Sequence, residues 1–98
     1  MLDTSEIDWI QAEDYYAAIY ALGKRYLIRE SLVSLEERLD PSSFVRVHRS
    51  AIVALDRVRE LRSTALGEWM VVLRDGTRVP VSRRRREQVA EVIRRAGS

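Results

Sequence analysis

The chain has 98 residues and a mass of 11.4 kDa; 46% of the residues are hydrophobic and 33% charged, with no cysteine and a formal net charge of +2. A chain this short has room for one modest core, and without cysteine it holds no disulfide framework, thiolate metal centre or cysteine nucleophile. No stretch approaches the roughly 18 apolar residues that cross a bilayer and no signal-peptide pattern opens the chain, so a cytoplasmic, soluble domain is expected.

Residues 1–5 read as the trimmed end of a linker. Residues 7–12 form the first expected strand, with Ile7 and Trp9 on one face and Ile10 and Ala12 on the other. A polar break at 11–14 leads into an aromatic-rich strand over 15–22. Gly23-Lys24 is read as a tight turn returning the chain through 25–29, which makes a hairpin. Ser31 is suited to cap a helix running to about Leu39, with Leu32, Leu35 and Leu39 in one stripe and Glu36, Glu37 and Arg38 toward water. Asp40-Pro41 ends it, because a residue before proline is driven from the helical region. Residues 44–55 mix apolar and polar positions irregularly, and Val58 and Leu61 anchor a further strand. Residues 69–73 are apolar throughout, so that strand is covered on both faces or lies across a helix. Asp75-Gly76 is the dipeptide of a two-residue hairpin turn, with Leu73 before it and Val79 and Val81 after it. Ser82 then caps a last helix with apolar Val89, Val92, Ile93 and Ala96. About six short strands and two helices make a β-dominated domain with helices at its edges.

The charges are distributed unevenly. Residues 1–42 carry nine acidic and four basic side chains, whereas residues 78–98 carry seven arginines against Glu87 and Glu91. Such a gradient points to a polyanion-facing end. Catalytic patterns are missing: His48 is the single histidine, the glycines are isolated, and Ser50 lacks a G-x-S-x-G setting. Of the paired carboxylates, Glu36-Glu37 lies on the solvent side of a helix. No enzymatic activity, metal site or cofactor is expected.

Arg83-Arg84-Arg85-Arg86 follows Ser82 directly and so occupies the first turn of the last helix. Four cations at the positive end of a helix dipole cost about 1 kcal/mol at low salt. An anion bound there would offset this; the other reading is a solvated face with Arg83 or Arg84 paired to Glu87. In Arg46-Val47-His48-Arg49-Ser50, alternation buries Val47 and turns Arg46 and His48 the other way, and a lone histidine is commonly a hydrogen-bonded structural residue. Tyr15, Tyr16, Tyr20 and Tyr26 read as hairpin packing; the acidic neighbours of Tyr15 and Tyr16 argue against base stacking.

Several stretches, in this order and spacing, resemble one family. They are Asp8-Trp9-Ile10-Gln11-Ala12-Glu13-Asp14-Tyr15-Tyr16, Tyr26-Leu27-Ile28-Arg29-Glu30-Ser31-Leu32, Leu35-Glu36-Glu37-Arg38-Leu39-Asp40-Pro41, Phe44-Val45-Arg46-Val47-His48-Arg49-Ser50-Ala51-Ile52-Val53, Asp75-Gly76-Thr77 and Pro80-Val81-Ser82-Arg83-Arg84. Together they are similar to the LytTR domain, the DNA-binding domain of the LytR/AlgR class of bacterial response regulators. The most specific part is F-x-R-x-H-R-S followed by P-V-S-R-R.

The resemblance implies a mainly β fold over residues 6–98: elongated antiparallel sheets with two or three short helices. It implies sequence-specific binding of double-stranded DNA in successive major grooves through three loops, at 14–18, 48–50 and 82–84. By position, Arg49 and Arg83 are the implied base readers, arginine being suited to guanine O6 and N7, and Ala17 is a base contact able to meet only a thymine methyl. Arg46, His48, Ser50, Ser82, Arg84, Arg85 and Arg86 are the implied contacts to the DNA backbone. Ala54 stands where the family commonly has asparagine, and the chain has no asparagine at all. Two-component response regulators of this class carry an N-terminal receiver or sensor domain, which is expected as a partner outside these 98 residues. The isolated domain is expected to be monomeric, to pair on tandem half-sites and to have no membrane partner. The alternatives are a module keeping this fold for protein interaction or sensing without DNA, and a general RNA or polyanion binder.

Overall fold

The computed structural model describes residues 3–97. After a 3₁₀ turn at Thr4–Glu6, β1 (Ile7–Glu13) pairs antiparallel with β2 (Tyr16–Ala21), and β2 with β3 (Lys24–Ile28). Helix α1 (Leu32–Arg38) follows, its Ser31 Oγ accepting from the Ser34 N–H at 3.1 Å, the cap expected of that serine. The chain returns through β4 (Phe44–His48) and β5 (Ala51–Ala54), and β5 pairs with β1, so the first sheet has the order β3-β2-β1-β5-β4. A 3₁₀ turn at Leu55–Arg57 leads to a second, three-stranded sheet of β6 (Val58–Ser63), β7 (Trp69–Leu73) and β8 (Arg78–Val81). Helix α2 (Arg86–Ala96) closes the domain. The mainly β, antiparallel class is as expected, and the extents of 37 × 29 × 24 Å are moderately elongated.

The five-stranded sheet is the middle layer. Side chains of Ile10, Ala17, Ile19, Phe44, Ile52 and Ala54 pack on Leu32 and Leu35 of α1. Val45, Val47, Ala51 and Val53 point the other way, against Val71, Leu73, Val79 and Val81 of the second sheet and Val89 of α2. Strand β5 is therefore buried at every position, as a strand covered on both faces must be. Within β7 the expectation of full cover holds for Val71, Val72 and Leu73, while Trp69 and Met70 are half-buried. Of the apolar positions on α2, Val89 is buried, Val92 and Ile93 pack beside it, and Ala96 is exposed.

Local signals located the turns but misassigned their centres. β1 runs on through Glu13, so the supposed polar break is strand, and the turn is Asp14-Tyr15. The next turn is Leu22-Gly23, not Gly23-Lys24: both residues have positive φ, +56° and +72°, as a type I′ turn requires, and Lys24 already pairs with Ala21. The Asp75-Gly76 hairpin has a three-residue loop. The Gly76 N–H donates to Leu73 O at 2.9 Å and the Leu73 N–H to Thr77 O at 2.8 Å, with Gly76 at φ +94°; this is a type I turn closed by a left-handed glycine.

Leu22 stands in a left-handed conformation that a γ-branched side chain resists, and it is exposed. Leu22→Asn, which creates the favoured Asn-Gly pair, is expected to stabilise the fold by about 0.5–1 kcal/mol. Thermal unfolding should show this as a Tm rise of several degrees.

Candidate nucleic-acid interface

Three turns meet at one end of the molecule. β1 and β5 are antiparallel with Gln11 opposite Ala51, and the Ala12 N–H donates to Ser50 O at 2.9 Å. The Asp14-Tyr15 and Arg49-Ser50 turns therefore lie at the same end of the first sheet. The second sheet joins them through one backbone bond, from the Ser82 N–H to Val47 O at 2.8 Å. Val47 can accept it because β4 is the edge strand of its sheet, with one row of backbone groups open; the β4–β5 register also shifts between Arg46 and His48, a bulge just before the turn. Segment 82–85 is thereby held beside the 48–50 turn.

Arg46 does not face outward. Its side chain is 10% exposed, with Nε donating to His48 O at 2.8 Å, Nη2 to Arg49 O at 2.6 Å and Nη1 to Glu36 Oε1 at 2.8 Å. All three bonds are internal, so the donors expected to meet phosphate are engaged within the domain. Glu36 in turn is not a purely solvated residue. His48 Nδ1 accepts from the Ser50 N–H at 3.2 Å and lies 2.9 Å from Ser50 Oγ, so the ring proton of the neutral imidazole is on Nε2. Burial, then the charges of Arg49, Arg85 and Arg46, lower the His48 pKa from its ordinary value. Ser50 thus orients the imidazole, and the structural reading of a lone histidine holds in that respect.

The arginine run is divided rather than gathered in one helical turn. Arg83–Arg85 form a 3₁₀ turn closed by the Arg85 N–H on Ser82 O at 3.0 Å, and α2 begins at Arg86. Ser82 makes no side-chain cap; its Oγ is buried without a hydrogen-bond partner among the described residues. Arg83 and Arg84 are exposed, and neither pairs with Glu87 or any other described residue through a side-chain hydrogen bond or ion pair. Arg85 is half-buried, its pKa lowered by burial and then by Arg46 and Arg84, with Glu36 opposing. Arg86 turns away from this group: Nη2 donates to Gly67 O at 2.6 Å and the guanidinium lies 5.3 Å from the Trp69 ring centroid. A cation stacked on tryptophan and bonded to the β6–β7 loop is a strut, set apart from the other arginines of the run.

At the first turn the residue expected to meet a base is a core residue. The Ala17 side chain is 0% exposed and packs in the core under α1; it shares its face with Ile19 and Ala21, and that parity was present in the sequence. The turn itself exposes Asp14 and Tyr15, the latter at 80%. Hairpin packing holds for Tyr20, stacked on Trp9 at 4.7 Å between centroids, and for Tyr26, but not for Tyr15 and Tyr16. The end of the molecule therefore presents Tyr15, Arg49, Arg83 and Arg84, with His48 and Arg85 behind them. Elsewhere, by contrast, Arg25, Arg38, Arg57, Arg62 and Arg95 each meet a carboxylate. Among the described residues no group of three or more His, Cys, Asp or Glu is arranged to hold a metal ion, and no helix is long and apolar enough to cross a membrane.

Residues 1–94 match the profile of the LytTr DNA-binding domain. The chain is 41% identical over 96 residues to the heme-containing CO-sensing transcriptional regulator RcoM 1 of Paraburkholderia xenovorans, covering 95% of this chain and 35% of that protein. It is 27% identical over 93 residues to the sensory transduction protein LytT of Bacillus subtilis, covering 95% of this chain and 39% of that protein. The chain thus spans a little over a third of the length of these relatives. A solved LytTr DNA-binding domain from Bacillus cereus superposes with a TM-score of 0.85 at 24% identity, covering 94% of this chain and 84% of that one, a likeness of fold.

The environment of His48 has a consequence for stability. A histidine whose folded-state pKa is lowered binds its proton less readily folded than unfolded, so its contribution is fully present above the unfolded value, about 6.5, and is lost as pH falls below it. His48→Gln is expected to flatten the pH dependence of the denaturation midpoint between about pH 7 and 5. An unchanged slope in the variant would assign that dependence to other groups.

Proposed function

The chain belongs to the LytTR family of DNA-binding domains, and we propose that it reads double-stranded DNA sequence-specifically by setting its three-turn end against successive major grooves. The observation that carries this reading is the group of four arginines at that end (Arg49, Arg83, Arg84 and Arg85) with no carboxylate within ion-pair distance among the described residues. Arginines paired elsewhere on the surface are already neutralised; these are free to release counterions from phosphates.

Arg49 and Arg83, each exposed on a turn held by backbone bonds, are the base readers in this proposal, offering bidentate pairs to guanine O6 and N7. Arg84 and Arg85 meet phosphates and position the domain. His48 donates from Nε2 to an acceptor on the same strand, and Tyr15 replaces Ala17 as the contact from the first turn. Arg46, Ser50, Ser82 and Arg86 support these contacts from within. No step of this function is catalytic. The domain serves as the output part of a longer bacterial regulator, with a receiver or sensor elsewhere in that protein, and acts in the cytoplasm on tandem half-sites, one copy to each.

Selection of bound sites from a random duplex pool tests the reading and yields the preferred sequence. On that sequence Arg83→Ala is expected to lose about 1–3 kcal/mol and to relax base choice at its position. Arg84→Ala should weaken all duplexes alike and reduce the slope of log K against log salt by about 1. Both are read by fluorescence anisotropy. A protein-interaction module would show no duplex binding even at low salt.

A further inference from the structure

We propose that Arg46, anchored by Glu36 of α1, is the positioning residue that sets the sequence selectivity of the Arg49 turn; the inference rests on the DNA-binding reading above. The Arg46 guanidinium bonds the carbonyls of His48 and Arg49, consecutive residues at the tip of the β4–β5 hairpin. The bulge immediately before the tip interrupts the ladder, so this fork supplies part of the order that cross-strand pairing would otherwise provide. Holding the two carbonyls orients the peptides on either side of the Arg49 Cα, and with them the direction in which its side chain leaves the turn. A planar guanidinium does this because its donors are fixed relative to one another; an ammonium on a flexible stem does not.

Glu36 completes the device. Arg46 lies in a group of like charges with Arg85 and Arg84, and Glu36 is the carboxylate acting against them. Beside a surface that receives phosphates, an acidic side chain lowers non-specific affinity. Its bond to Arg46 Nη1 at 2.8 Å gives it another use, tethering the guanidinium to α1 and so to the rigid core around Leu32 and Leu35. The selectivity of an exposed turn is thereby set from a helix that lies on the sheet behind it.

The test compares affinity for the selected duplex with affinity for a scrambled one, using the whole chain and the variants Glu36→Ala and Arg46→Lys. With positioning, Glu36→Ala holds or raises affinity for the scrambled duplex, since a negative charge is gone, while affinity for the selected duplex falls. The ratio drops about tenfold. Arg46→Lys keeps the charge and should give the same fall in ratio with an unchanged salt slope. In the Glu36→Ala background, Arg49→Ala should cost less than in the unmodified chain, a coupling that general loss of stability does not produce. Equal tightening of both duplexes by Glu36→Ala overturns the inference, as does an unmodified ratio in Arg46→Lys or a parallel loss on both duplexes with a smaller salt slope. If Arg46→Lys does not fold, Glu36→Ala decides, its side chain being half-exposed. Absence of duplex binding by the unmodified chain overturns the DNA-binding reading as well; an unchanged ratio in the variants overturns this inference alone.

Discussion

Val47 is the point on which the rest of the architecture turns. Its side chain is fully buried between the two sheets, and its carbonyl accepts the Ser82 N–H. The first property locks the register of β4, because a shift of one residue would drive Arg46 and His48 into the apolar layer and expose Val45 and Val47. The second joins the end of β8 to the end of β4. Strand β4 is the edge of its sheet, so this carbonyl has no strand partner on its outer side, and the bond it accepts fixes the arginine turn relative to the hairpin carrying Arg49. An edge carbonyl thus provides what two separate sheets lack, a common frame for side chains more than thirty positions apart in the chain.

That frame divides the arginines into classes that composition alone treats as equivalent. Arg46 and Arg86 are withdrawn into the structure, one tied to two carbonyls and Glu36, the other stacked on Trp69 and bonded to Gly67. Arg46 has its donors engaged, the condition under which a charged side chain stabilises rather than costs, whereas Arg86 is held by one bond and the indole face while its Nε is buried without a partner among the described residues. Surface pairs such as Arg62 with Glu60 contribute little to stability, of order 0–1 kcal/mol, but they cancel charge where no partner is expected. What remains unpaired near the Val47 junction is Arg49, Arg83, Arg84 and Arg85. The small net charge of +2 is therefore no guide to affinity for nucleic acid; the field at one end matters, and there four arginines without an ion-pair partner among the described residues outnumber the exposed Asp14.

The positions that could be read along the chain were those with short-range causes. Ser31 caps α1, Asp40-Pro41 stops it, and Val89, Val92 and Ile93 form the packed side of α2. The misreadings also have physical causes. Gly76 occupies the left-handed position of a three-residue loop, and Gly23 follows a leucine forced into the same region; composition marks the turn but not which residue takes the positive φ. Ser82 has a capping residue's identity, yet its backbone is committed to Val47 and its hydroxyl is enclosed. Ala17 was legible as a core residue from its parity with Ile19 and Ala21, and positional likeness to a family overrode that evidence. No local pattern links Arg46 to Glu36, ten residues away in a different element.

By itself, then, the sequence determined the class of the fold, the cap and stop of its first helix, the polarity gradient and the family, since each depends on residues that are neighbours or on an ordered set of short motifs. It also pointed to Arg46, Arg49 and the run Arg83 to Arg86 as one set of cations, without separating them. Only the tertiary structure decided which arginines are struts and which are free, that Tyr15 rather than Ala17 is the open side chain of the first turn, and that three turns share one end. Those outcomes rest on the burial of β5 on both faces and on a single hydrogen bond across sheets. Such interactions exist only once the two layers have closed on each other, so they leave no periodicity in the chain to be read beforehand.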